Sequence, residues 1–255
     1  MAEIHYPVLA IILSILGNCL SSFVALSPLP RFFKLDKERD PGPYSIYPMV
    51  ALCGNSYMWV IYGMITKTFA VLPVNMIGLF STIYFIVVHI STLKELKERR
   101  IITGISMGMA IILSLFTEVV ILSTSDVNLQ TNIMGYACNA ILFCFFGAPL
   151  MALYGVIKSK DTSSMNLLLL ICSGVAAIVW TGYGLLVHDL FITVPNAVGA
   201  TLTMSQLAIY KAINIFYPHG NLRSGEMNIM DIDKETPLNG ADDDSTADEP
   251  SAVVY

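Results

Sequence analysis

The chain has 255 residues, of which 55% are hydrophobic and 13% charged, with a formal net charge of −5. A soluble domain of this length needs more charge to cover its surface, so the composition excludes one and points to an integral membrane protein in contact with lipid. Spans in hydrocarbon must pair their own backbone groups, and runs this continuously apolar fit helices, not the alternating strands of a barrel.

At roughly 20 apolar residues per crossing, seven transmembrane helices are predicted, near residues 7–29, 44–65, 69–90, 101–122, 133–157, 165–187 and 190–210. Only Met1–Tyr6 precede the first, without a basic segment, so it is expected to be its own insertion signal. It carries Asn18 and ends in Leu26-Ser27-Pro28-Leu29-Pro30; the second begins around Pro48 and contains Trp59-Val60-Ile61-Tyr62-Gly63. The third opens with Pro73-Val74-Asn75, and the fourth, Ile101–Leu122, has no such punctuation. The fifth contains Asn139 and Gly147-Ala148-Pro149-Leu150, the sixth Trp180-Thr181-Gly182-Tyr183-Gly184, and the seventh Val194-Pro195-Asn196. Nine of the nineteen acids lie after Tyr217, so 218–255 reads as a disordered acidic tail. The five cysteines fall in apolar segments without metal or redox spacing and are assigned to packing.

Taking the loops alternately, thirteen of the fourteen Lys and Arg fall on one side and only Lys67 on the other. This places the N-terminus outside and the C-terminus in the cytoplasm. The expected localisation is the plasma membrane, with an intracellular membrane as the alternative.

A single ungapped shift of 121 residues pairs Asn18 with Asn139, Pro28 with Pro149, Lys37 with Lys158 and Asp40 with Asp161. It also pairs Trp59 with Trp180, Tyr62-Gly63 with Tyr183-Gly184, Asn75 with Asn196 and Gly78 with Gly199. The chain has only two tryptophans and they are partners under the shift, which chance similarity of apolar helices does not explain. Three spans reverse the direction of the chain, so a parallel second copy needs one extra crossing. The expected organisation is therefore 3+1+3: a three-helix repeat at 7–92, a linker helix with its loops at 93–132, and a second repeat at 133–217.

Asn75 and Asn196 fall near mid-membrane, where an unpaired amide costs roughly 1–3 kcal/mol. Each alone could be an interhelical hydrogen bond; two related by the repeat axis should face one cleft and share a ligand. Trp59 and Trp180 could anchor at the headgroups, but their pairing favours the cleft, where an indole can cover the C–H face of a sugar ring. Pro28 and Pro149 each remove a helical hydrogen bond, as a static bend or as a hinge, and symmetric placement favours the hinge. Pro48 is a further candidate. No Lys or Arg lies within the spans, and the only acids there, Glu118 and Asp189, sit near span ends. Proton coupling or an ionic substrate normally requires an intramembrane ionisable group, so a neutral polar substrate moving downhill fits best. No cofactor, metal, nucleic acid or catalytic group is expected.

Over about 7–217 these residues resemble the SWEET family of sugar facilitators, most specifically at Ala148-Pro149-Leu150, Trp180, Tyr183-Gly184, Asp189 and Pro195-Asn196. The resemblance implies sugar-binding amides at Asn75 and Asn196, cavity walls at Trp59 and Trp180, and an outer gate of Tyr62 and Asp189. It also implies a homotrimer and four hinge prolines, at Pro28, Pro48, Pro149 and position 166. Position 166 departs from that pattern, because Asn166 stands where the family usually has proline. Two indoles should narrow the cleft, so hexoses such as glucose are expected over disaccharides. The rival readings are an amino-acid exporter of the PQ-loop type, although no Pro-Gln dipeptide occurs, and a seven-helix signalling receptor.

Overall fold

The computed structural model describes residues 7–42, 45–145, 147–163 and 165–217; the predicted acidic tail lies outside them. The described residues form nine α-helices and one short 3-10 helix, η1, with no strand. The α-helices are α1 (Pro7–Leu26), α2 (Leu29–Glu38), α3 (Tyr47–Thr66), α4 (Leu72–Thr92), α5 (Leu96–Ser123), α6 (Val127–Phe145), α7 (Gly147–Ser159), α8 (Leu167–Leu186) and α9 (Leu190–Phe216). The 3-10 turn η1 (Phe69–Val71) leads into α4. Among the described residues, five segments are long and apolar enough to cross a membrane: Pro7–Glu38, Tyr47–Thr66, Phe69–Thr92, Leu96–Ser123 and Leu167–Leu186. α6 and α9 fall outside that set; the first turns of α6 carry Asn128, Gln130, Thr131 and Asn132, and α9 is interrupted by Thr, Asn and Gln.

The helices α1, α4, α3, α6, α9 and α8 pack in a closed ring, each on the next, with α8 returning to α1. Under the 121-residue shift these contacts map onto one another: α1 on α4 becomes α6 on α9, and α3 on α4 becomes α8 on α9. Helix α5 breaks the symmetry, lying outside the ring against α3, α4 and α6. Its side chains Ile111, Ile112, Leu115, Val119 and Leu122 are exposed, an apolar face suited to lipid. The main core lies inside the ring and includes Met58, Trp59, Tyr62, Met134, Cys138, Trp180, Tyr183 and Ile192.

The same shift governs the turns. The non-glycine residues with left-handed φ are Arg39 (54°), Lys67 (57°), Lys160 (57°) and His188 (55°) among the described residues. They form two pairs under the shift, Arg39 with Lys160 and Lys67 with His188, so the helix ends are duplicated along with the helices.

The structure alters three expected spans. The segment expected at 7–29 stops at Leu26 and resumes as α2, because Pro28 (φ −75°, ψ −12°) has no N–H to continue the ladder and the Ser27 hydroxyl donates to the Val24 carbonyl at 2.7 Å. The segment expected at 133–157 begins earlier, at Val127, where Asp126 Oδ1 accepts from the Asn128 N–H at 2.9 Å, and its described residues are helical as far as Ser159. The last helix runs on to Phe216.

Candidate functional site

At the centre of the ring lies a cavity of about 190 Å³. Its lining includes four repeat pairs: Trp59 with Trp180, Asn75 with Asn196, Val71 with Ile192, and Ser21 with Leu142. The cavity therefore sits on the repeat axis, and the two amides and two indoles singled out by the sequence share it. Asn75 Nδ2 donates to the Val71 carbonyl at 2.7 Å, and Asn196 Nδ2 to the Ile192 carbonyl at 2.7 Å. Each amide thus ties one N–H to its own helix, and keeps a second N–H and an acceptor oxygen. Such a group can both donate to and accept from hydroxyls.

The indoles are held by matched aromatic contacts. Trp59 meets Tyr62 and Trp180 meets Tyr183, both edge to face at 5.4 Å between centroids. Both tryptophans are nine-tenths buried inside the ring, so neither is an interfacial anchor. Gly17 allows the approach of α8: a Cβ there would stand 2.9 Å from the Trp180 indole. Trp180 Nε1 donates to Ser21 Oγ at 3.1 Å, whereas the repeat mate of Ser21 is Leu142, which has no acceptor.

Between α3 and the start of α9, the Tyr62 hydroxyl donates to Asp189 Oδ2 at 2.8 Å. Asp189 Oδ1 meanwhile caps α9 by accepting from the Ile192 N–H at 3.1 Å. The carboxylate is thereby fixed at both oxygens. The mate of Asp189 under the shift is Thr68, so the bond of Tyr62 to a carboxylate has no counterpart at its repeat mate Tyr183. The glycine of each Tyr-Gly pair lets the third helix pack against the second. A Cβ at Gly63 would lie 2.7 Å from Val71, and one at Gly184 would lie 2.5 Å from the Thr193 hydroxyl.

The expected hinge positions lie away from the cavity. Pro28 separates α1 from α2, and Pro149 lies in α7. Pro48 is in the first turn of α3, where a missing N–H breaks no helical bond. Asn166 is the N-cap of α8, its Oδ1 accepting from the Leu169 N–H at 3.1 Å. It starts the helix by capping instead of by fixing φ.

The sequence reading missed Asn55. It is buried in the cavity wall on α3, and its Oδ1 has no hydrogen-bond partner among the described residues. Its repeat mate is Ala176, so a search for paired residues passes over it; a lone amide one helical turn before Trp59 was the available signal.

The family model described as "sugar efflux transporter for intercellular exchange" matches twice, over residues 11–96 and 132–216. The chain is similar to the bidirectional sugar transporter SWEET7 of Arabidopsis thaliana, with 27% identity over 215 residues, covering 83% of each protein. It is likewise similar to SWEET16 of that plant, also a bidirectional sugar transporter, with 27% identity over 82% of this chain and 90% of the other. Among solved structures, a eukaryotic SWEET transporter superimposes with a TM-score of 0.79 at 24% identity, over 82% of this chain and 98% of that one. The last likeness concerns the fold.

Proposed function

The chain belongs to the MtN3/SWEET family of sugar transporters, and from that premise we propose that it is a passive, bidirectional carrier of small neutral sugars, not an enzyme. The observation that carries this is the central cavity, where paired amides stand beside paired indoles on the repeat axis. Amides that donate and accept match the alternating roles of sugar hydroxyls, and indole faces match the C–H faces of the ring. No charged side chain is part of this wall, which suits a neutral substrate moving down its gradient. At about 190 Å³ the cavity is small beside the roughly 300–1,000 Å³ of drug-sized sites, and this supports a hexose over a disaccharide.

In this reading α6 continued by α7, and α9, also cross the membrane, giving seven spans in a 3+1+3 order. The Tyr62–Asp189 end faces outside and the basic loops face the cytoplasm. Sugar passes by alternating access: the Tyr62–Asp189 bond opens as the repeats rock about Pro28 and Pro149, with Pro48 and Asn166 at the starts of the neighbouring helices. Asn55, without a counterpart in the second repeat, orients the sugar along the otherwise two-fold cavity. Purified protein in liposomes should take up radiolabelled glucose faster than empty vesicles. Uptake no faster than in empty vesicles, or equal rates for sucrose and glucose, would remove the carrier claim or the hexose claim respectively.

A further inference from the structure

Asn18 and Asn139 are repeat mates that the cavity does not use, yet each reaches the third helix of its own half. The side chain of Asn18 spans two backbone groups that an α-helical bond would otherwise join: Nδ2 donates to the Ala70 carbonyl at 2.8 Å, and Oδ1 accepts from the Val74 N–H at 2.9 Å. Ala70 belongs to η1 and Val74 to the first turn of α4, so the amide is inserted where the 3-10 turn passes into the α-helix, in place of the i to i+4 bond there. The shift carries Ala70 to Phe191 and Val74 to Pro195. In the second half Asn139 Nδ2 donates to the Phe191 carbonyl at 3.2 Å, but Pro195 has no N–H to offer. Asn139 Oδ1 is accordingly buried without a partner among the described residues. The residue is nine-tenths buried, and the Phe191 ring lies against Gly135 so closely that a Cβ there would overlap it.

We propose that Asn18 and Asn139 are positioning residues for the sugar-binding amides, inserted as wedges one residue before Asn75 and Asn196, and that Pro195 makes the second wedge one-ended and releasable. The proposal rests on the sugar-carrier reading for its functional part. Where the first wedge ties both ends of the opened turn, the second holds only a carbonyl. The turn that bears Asn196, and the Asp189 cap below it, is therefore the one that yields during transport.

The test uses rescue. Asn139→Leu removes the donor from the Phe191 carbonyl; in the double variant with Pro195→Ala, the backbone N–H restored at position 195 can close that helical bond by itself. Glucose affinity is read from the fluorescence of Trp59 and Trp180, both in the cavity wall, and the thermal midpoint of the full chain is read alongside. Asn139→Leu should weaken glucose binding about tenfold, as expected for a buried carbonyl left unpaired, and adding Pro195→Ala should restore most of it. Equal losses with and without Pro195→Ala would assign Asn139 a packing role and overturn the proposal. Pro195→Ala alone gives Asn139 Oδ1 a donor, so it should raise the thermal midpoint by about 3 °C and lower maximal flux with glucose affinity held. An unchanged or lower midpoint, or unchanged flux, would overturn it even if Asn139→Leu fails to fold. If the wild-type chain neither binds nor carries glucose, the sugar reading fails by itself, and the midpoint still decides the wedge.

Discussion

The two halves of the ring share a framework and differ in chemistry. Helix ends, left-handed turns, Trp–Tyr contacts and the amides Asn75 and Asn196 repeat under one shift. Four positions do not: Ser21 faces Leu142 across the axis, Asn55 is matched by Ala176, Val74 by Pro195, and Thr68 by Asp189. Symmetry locates a cavity between the halves, where one ligand can touch both. The departures make the halves unequal, with an extra amide in the cavity wall on the first and, on the second, the carboxylate that Tyr62 bonds.

If the paired amides are equivalent, Asn75→Ala and Asn196→Ala should each lower glucose flux about tenfold, and together about a hundredfold, at about 1.4 kcal/mol per lost contact. Unequal single losses would show that the halves already differ at their most similar residues. The proposed closure is broken by Tyr62→Phe, which removes a hydrogen bond to a carboxylate and leaves the ring. Cys138 packs in the core beside Tyr62 and is fully buried. In a chain whose other cysteines are replaced, its labelling by a membrane-impermeant thiol reagent should accelerate about tenfold in this variant; an unchanged rate would mean that Tyr62 does not hold the end shut.

Much of this was legible beforehand because duplication marks its own residues. Trp59 with Trp180 and Asn75 with Asn196 were visible as pairs of uncommon types at one offset, and the structure brings all four to one cavity. What the pairing could not show is what is unpaired. Asn55 was invisible against Ala176, and the wedge at Asn139 needed the third helix to be placed in space before Pro195 became meaningful. The left-handed turns at Lys67 and His188 also escaped notice, since neither type signals that conformation as glycine does. The helix break at Pro28 was located through its proline, but hydropathy ran the span straight through it because the flanking residues are apolar on both sides.

Smaller effects refine the comparison further. Asn55→Ala makes the first half resemble the second, and should weaken glucose binding about fivefold while leaving the fold intact; unaltered affinity would return the orienting role to the symmetric pairs. Asn166→Ala removes the cap of α8 and should cost about 1 kcal/mol of stability, measured by thermal unfolding, with glucose affinity unchanged. A loss of affinity there would show that the helix start transmits to the cavity.

The central claim is that a two-fold cavity without charge carries sugar passively. It is tested most directly by following glucose inside proteoliposomes to its end point, with and without an imposed proton gradient. Passive transport predicts that the internal concentration rises to the external one and stops there in both cases, with the Asn75→Ala and Asn196→Ala variants slower to the same level. Accumulation above the external concentration when the gradient is present would contradict it.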